Sequence, residues 1–277
     1  MKRKHNFKRL ATDIIGVAMA LIIFGIPFVF ILLNSLKDRL ESNRLAMSLP
    51  TVFHFENYLT VLENNNYQLV TAFKNSIIMT IGAVIVLIIT GSMAGYVLQR
   101  RKDRITKFLS KLVLIGLMIP TAILPTIWVL QKLGIYKTMF SIILLQTALN
   151  ISFTIMLYQN FMETIPVELE EAGFMDGAST MKLFAYIIFP LLKPVTATVV
   201  IINAISVFND FTTPLYFFPG SENATVQLTL YNYIGQFANS YNLLFADVIV
   251  IVIPMLILFL IFNNRIVDGM TAGSVKG

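Results

Sequence analysis

The sequence predicts an all-α membrane protein with six transmembrane helices. Composition is the first observation behind this reading: of 277 residues, 56% are hydrophobic and only 13% charged, with a mean hydropathy of +0.75. Patterning is the second. Residues 14–33, 75–99, 112–131 and 138–162 contain no Asp, Glu, Lys or Arg, and the runs 190–209 and 243–262 hold one charge each, Lys193 and Asp247. A soluble domain of this length needs more charge to cover its surface. About 20 apolar residues cross a bilayer, and in hydrocarbon each backbone N–H and C=O must pair within its own segment. The runs are therefore read as helices.

In order, the spans are expected at about 12–34, 75–98, 112–131, 138–161, 188–210 and 243–263, in one domain covering 1–277. The first follows the basic stretch "MKRKHNFKR", which resembles the start of a secretory signal. Its apolar run is about twice the usual signal core, and "NSLKDR" offers no small-residue cleavage site, so it is read as an anchor. The second contains "TGSMAG" at 90–95, whose small residues suit close packing of one helix on another better than they suit a serine nucleophile. The absence of cysteine excludes a disulfide scaffold and thiolate metal sites. Although the net charge is +6, the positions of the charges speak for topology and not for nucleic acid. With the N-terminus inside, fifteen of the 21 Lys and Arg residues fall on the cytoplasmic side, including six at 99–111. That follows the positive-inside rule, so both termini and the loop 162–187 are expected in the cytoplasm.

This loop is the polar exception in a greasy chain. In "TIPVELEEAGFM" Pro166 suits the first helical position, and the acids that follow suit the positive end of the helix dipole. Gly177 in "DGAST" can end the helix in the left-handed conformation, and Ser179 can cap the next one. Leu169, Ala172, Gly173 and Asp176 share a helical face, thin at Ala172 and Gly173, on which another protein can approach the backbone closely. Glu171 sits beside that face, placed to pair with a cation. An amphipathic helix lying on the membrane would want bases and bulky anchors, whereas 163–176 holds five acids and no base.

The loop resembles the signature loop of permease subunits of binding-protein-dependent ABC importers: EAA, three residues, G, nine residues, I, one residue, L, P. Here the pattern reads Glu171, Ala172, Gly173, Gly177, Ile187 and Pro190 with every spacing kept. Gly173 stands where a second Ala is usual and Phe189 where Leu is usual. Its flanks, "IPVELEEA", "IIFPLLKPVTAT" and "VFNDFTTPLYF", resemble the carbohydrate-importer branch, and "DGMTAGSVKG" resembles the tail of the maltose-type second permease.

The resemblance implies a type I importer permease fold in a bacterial inner (cytoplasmic) membrane. It implies partners too: a second homologous permease, two cytoplasmic ATPase subunits and an extracytoplasmic sugar-binding protein. The cargo implied is a sugar or oligosaccharide, with glycerol phosphate or another polyol as the alternative. The ATPase-coupling residues would be Glu170, Glu171, Ala172, Gly173, Asp176, Gly177 and Ala178. Thr271, Ala272, Gly273, Val275 and Lys276 of the tail would reach between the ATPase subunits.

No catalytic set, metal site or cofactor is expected, because the sequence has no phosphate-binding G-x-x-x-x-G-K-[ST] loop and no nucleophile–base cluster. A secondary transporter or channel, the reading from another class, would be expected to carry acids or histidines within its spans. Both histidines, His5 and His54, fall outside the expected spans. Sugars are held by amides, carboxylates and aromatic faces, which makes Gln146, Asn150, Tyr158, Asn203, Phe208, Asn209 and Asp210 the candidates for the substrate path. Each amide equally suits a helix–helix hydrogen bond within the bundle.

Overall fold

The computed structural model describes residues 14–235 and 239–271, with side chains to Ile261 except at 258. In chain order the main helices are α1 (Ile14–Ser35), α2 (Glu56–Arg100), α3 (Arg104–Gly116), α4 (Ile123–Lys132), α5 (Met139–Met162), α6 (Glu168–Met175), α7 (Thr180–Leu191), α8 (Lys193–Phe208), α9 (Thr212–Phe217) and α10 (Tyr241–Thr271). The chain forms two compact units, residues 1–69 with 229–253 and residues 70–228 with 254–277.

In the first unit α1 turns apolar side chains such as Ile14, Leu21 and Phe24 outward, as a lipid-facing helix does. Phe30 meets Phe245 of α10 edge-on at 5.5 Å. Polar groups close the unit beyond these rings. The Asn57 amide donates to the carbonyls of Ser35 and Lys37, and its oxygen accepts from Asn242 at 3.0 Å. Lys37 is buried, and its ammonium donates to Asn34, Ser48 and the Ala46 carbonyl. A buried ammonium requires such acceptors.

Within α2, Asn64 to Tyr67 leave helical geometry, and Asn65, Asn66 and Tyr67 take positive φ. Asparagine tolerates that region better than other side chains, so "NNN" marks the break. The part beyond it carries the expected span 75–98.

The second unit holds two apolar cores. One joins Met79, Ala83, Ile142, Leu145, Val207 and Phe217; the other joins Tyr96, Tyr158, Met162, Leu183, Ile188 and Leu192. Gly91 and Gly95 bring α2 against α5 so closely that a methyl on either would press on Thr154 or Tyr158. The small residues of "TGSMAG" thus pack helix on helix.

Among the described residues four continuous helices are long and apolar enough to cross a membrane, or five when α7 and α8, bent by 75°, count as one span. The expected sixth, 112–131, is not one helix: α3 ends at Gly116 and α4 begins at Ile123. Pro120 explains the interruption, since it lacks an N–H and drives Ile119 out of helical geometry. Proline acts at the α7–α8 bend as well. A continuous helix would press the Pro194 ring on the carbonyl of residue 190, so the chain turns at Leu192 and Pro194 falls in the first turn of α8.

Candidate functional site: the acidic loop and the polar chain

The loop after α5 is ordered by its own hydrogen bonds. Val167 caps α6, with Pro166 just before the cap and not at the first helical position. Glu168, Glu170 and Glu171 fill the first turn, where exposed amides favour negative charge. At the other end Gly177 takes φ +83°, its N–H bonds to the Phe174 carbonyl, and the Ala178 N–H bonds to the Gly173 carbonyl, both at 3.0 Å. This pair of bonds is a Schellman closure and needs the left-handed residue. Ser179 occupies the cap position of α7 with extended backbone, but its side chain makes no capping bond.

The acids divide by direction. Glu170 is buried; its carboxylate accepts from Arg100 Nε at 2.6 Å and from the Tyr96 hydroxyl at 3.0 Å. Arg100 also donates to the Ile165 carbonyl at 2.8 Å. Two helical turns of α2 are thereby clamped to the loop by a charge-assisted network with little water around it. Glu171 points outward and is exposed. Gly173 faces inward: a methyl there would lie 2.9 Å from Ile187 Cδ1 and 3.0 Å from Leu183 Cδ1. This corrects the expectation that the thin face at Gly173 is open to another protein. Its thinness lets α7 pack against α6. The outward surface of α6 carries Glu168, Glu171 and Ala172 beside the exposed side chains of Leu169, Phe174 and Met175, the last 88% exposed. Exposed large apolar side chains mixed with unpaired acids form a surface suited to a protein partner.

The expected substrate-path residues separate into two groups. Gln146, Asn150, Asn209 and Asp210 fall into two short hydrogen-bonded runs between the middle of α5 and the C-terminal end of α8. Gln146 donates to Asp210 at 2.6 Å, Asp210 accepts from the Thr213 N–H, and Asn150 donates to the Gln146 carbonyl. Ser206 donates to Asn150, and Gln227 to Asn209. Ser206 and Asn209 are exposed, so this polar group opens to the surface of the unit. Gln146 is buried beneath them, and the other three residues are buried in the core. Tyr158 bonds to Thr196 within the core, Asn203 bonds to Thr154 and the Val199 carbonyl, and Phe208 lies against Phe73 with ring centroids 6.5 Å apart. Of the tail residues, Thr271 closes α10, while Ala272, Gly273, Val275 and Lys276 lie outside the described residues.

Residues 87–271 match the family described as binding-protein-dependent transport system inner membrane component. The match runs from within α2 to the end of α10 and takes in the acidic loop. The chain belongs to this family. It is 33% identical over 255 residues to the melibiose/raffinose/stachyose import permease protein MelC of Bacillus subtilis (strain 168), with 91% of each chain covered. It is 28% identical over 278 residues to the probable starch degradation products transport system permease protein AmyC of Thermoanaerobacterium thermosulfurigenes, with 100% of each covered. Its fold is similar to a chain in the crystal structure of a bacterial ABC transporter involved in the import of the acidic polysaccharide alginate. There the TM-score is 0.80 at 21% identity, covering 95% of this chain and 98% of that one.

As a permease component, the chain is a membrane-embedded importer subunit. Three positions that build the candidate site escape sequence reasoning: Tyr96 and Arg100, which hold the loop, and Gln227, which bonds to Asn209. Tyr96 and Arg100 are four residues apart on one face of α2, but that spacing alone does not separate Arg100 from its basic neighbours Arg101, Lys102 and Arg104.

Proposed function

We propose that this permease carries a sugar or oligosaccharide inward, and that α6 takes up the motion of a partner ATPase. The single observation behind the coupling role is the clamp of Glu170 by Arg100 and Tyr96. A helix that receives a push must be joined stiffly to a membrane helix, and a buried charged network does this while leaving Glu171 and Met175 free for the partner. The sugar class is supported by the oligosaccharide names of the relatives and by the neutral amides at Gln146, Asn150 and Asn209. ATP hydrolysis lies in the partner, a second permease completes the path, and an extracytoplasmic binding protein delivers the cargo. Asp176, Gly177 and Ala178 set the angle at which α6 meets the ATPase, and residues 271–276 contact the ATPase pair.

Both termini lie on the cytoplasmic side in this reading. A cysteine introduced at Ser221 of this cysteine-free chain is expected to react with an impermeant reagent from outside, and one at Ser179 is not. Copurification with an ATPase subunit and uptake of a labelled oligosaccharide test the rest. Copurification without oligosaccharide uptake would remove the cargo assignment and leave the coupling role.

A further inference from the structure

Beyond the loop, the strongest unassigned feature is a pair of adjoining cavities where α2, α3 and α5 meet. The first, about 370 Å³, is lined by Arg101, Lys102, Lys107, Lys111, Ser110 and Gln159 among others. The second, about 560 Å³, is almost wholly apolar, with Val97, Leu109, Leu112, Val113, Ile151 and Ile155 in its walls. Leu98 belongs to both linings. Helix α3 is built to make this division. Its Lys107, Ser110 and Lys111 turn to the first cavity, while Leu109, Leu112 and Val113 turn to the second.

The charges are available. Among the described residues the ion pairs are Arg100–Glu170 and His54–Glu56, so none of these four cations meets a carboxylate in one. Asp103 is the acid close by, and it serves the start of α3: its carboxylate accepts from the Thr106 N–H at 2.8 Å and the Thr106 hydroxyl at 3.1 Å. Four unpaired cations around one pocket repel one another and attract an anion. An acidic peptide or free phosphate answers the first cavity and leaves the second empty. A molecule with an anionic head and a hydrocarbon tail answers both.

We propose that α2, α3 and α5 form a binding site for an anionic phospholipid. Its phosphate headgroup lies among Arg101, Lys102, Lys107 and Lys111, and an acyl chain lies between α3 and α5. Basic pockets at the end of membrane helices suit such headgroups, and the amphipathic α3 lies where headgroup and tail regions adjoin. A bound lipid would brace the polar end of α2, next to the Arg100 that holds the loop.

The test uses the purified full-length chain in detergent, examined by native mass spectrometry. Phosphatidylglycerol, phosphatidylcholine with the same acyl chains, and inorganic phosphate are offered separately and in competition. The chain is expected to retain phosphatidylglycerol about tenfold better than phosphatidylcholine, given four cations at the site. The variant R101Q/K102Q/K107Q/K111Q should lose that preference, and K74Q/K132Q/K137Q, altered elsewhere, should keep it. Val113→Trp, which fills the apolar cavity without touching a cation, should weaken retention of phosphatidylglycerol. Equal retention of both lipids would overturn the site, as would displacement of phosphatidylglycerol by phosphate alone. Unchanged binding in Val113→Trp, or equal loss in K74Q/K132Q/K137Q, would overturn it as well.

Discussion

The acidic loop and the polar group at the α5–α8 end use the same kinds of atoms in opposite ways. At the loop a carboxylate is buried, paired with a guanidinium and held by a tyrosine, so Glu170 has its acceptors committed. At the other place Asp210 is only half-buried, and its partners are a neutral amide and a backbone N–H. Exposed Ser206 and Asn209 stand beside it. The difference separates a joint from a surface that exchanges partners. Breaking a buried ion pair leaves a charge without solvent, so such a pair resists rearrangement. Neutral amides near solvent, as at Asn150 and Asn209, trade one hydrogen bond for another at little net change, as the cargo proposed above would require.

The sharpest way to break this contrast is within the loop itself. Glu170→Ala should lose about 2 kcal/mol of stability, because Arg100, only partly exposed, is left without its counter-charge. The paired variant Arg100→Met/Glu170→Met should recover most of that loss, as a thermal unfolding series would show. Glu171→Lys, one residue away and exposed, should leave unfolding unchanged while abolishing uptake. Similar stability losses at 170 and 171 would erase the distinction between clamp and contact.

Gly177→Val acts through the backbone. A β-branched residue at φ +83° meets strain of about 2 kcal/mol, and the Schellman bonds to Phe174 and Gly173 are lost or bent. Reduced uptake with the chain still inserted is the expected result. The polar group should respond more mildly: Gln146→Leu removes one hydrogen bond to Asp210, about 1 kcal/mol where solvent reaches the carboxylate. Its larger signature should be a raised KM for uptake, which separates a path residue from a bundle contact.

The smallest effect is expected at Gly173. Alanine there favours the helix by about 1 kcal/mol, while its methyl presses only on the tips of Ile187 and Leu183. Unfolding of Gly173→Ala should shift little, and Gly173→Leu should destabilise clearly. Unchanged stability in the leucine variant would mean that this face is open after all.

Local rules carried the sequence reading far. Hydropathy found the long apolar helices α1, α2, α5 and α10 because hydrocarbon imposes its condition on each segment alone. The helix after Pro166 and its end at Gly177 were legible because dipole, capping and positive φ act within a few residues. The "EAAxxxG" spacing carried the family because it is short and strict. Hydropathy does not show where an apolar run breaks: 112–131 is apolar enough for a span, yet Pro120 divides it into α3 and α4.

Direction was decided only by the tertiary structure. Three acids in one turn of α6 are equivalent as sequence, but Glu170 turns inward because Arg100, seventy residues earlier, arrives beneath it. Gly173 reads as an opening for a partner until Leu183 and Ile187 fill the space above it. Seven polar and aromatic residues of α5 and α8 suit a sugar path equally by chemistry. Packing buries Gln146, Tyr158, Asn203 and Phe208 and leaves Asn150, Asn209 and Asp210 in reach of the surface. A residue's chemistry is written in its side chain, whereas its neighbours depend on how distant helices cross, and that crossing is set by the summed packing of the whole unit.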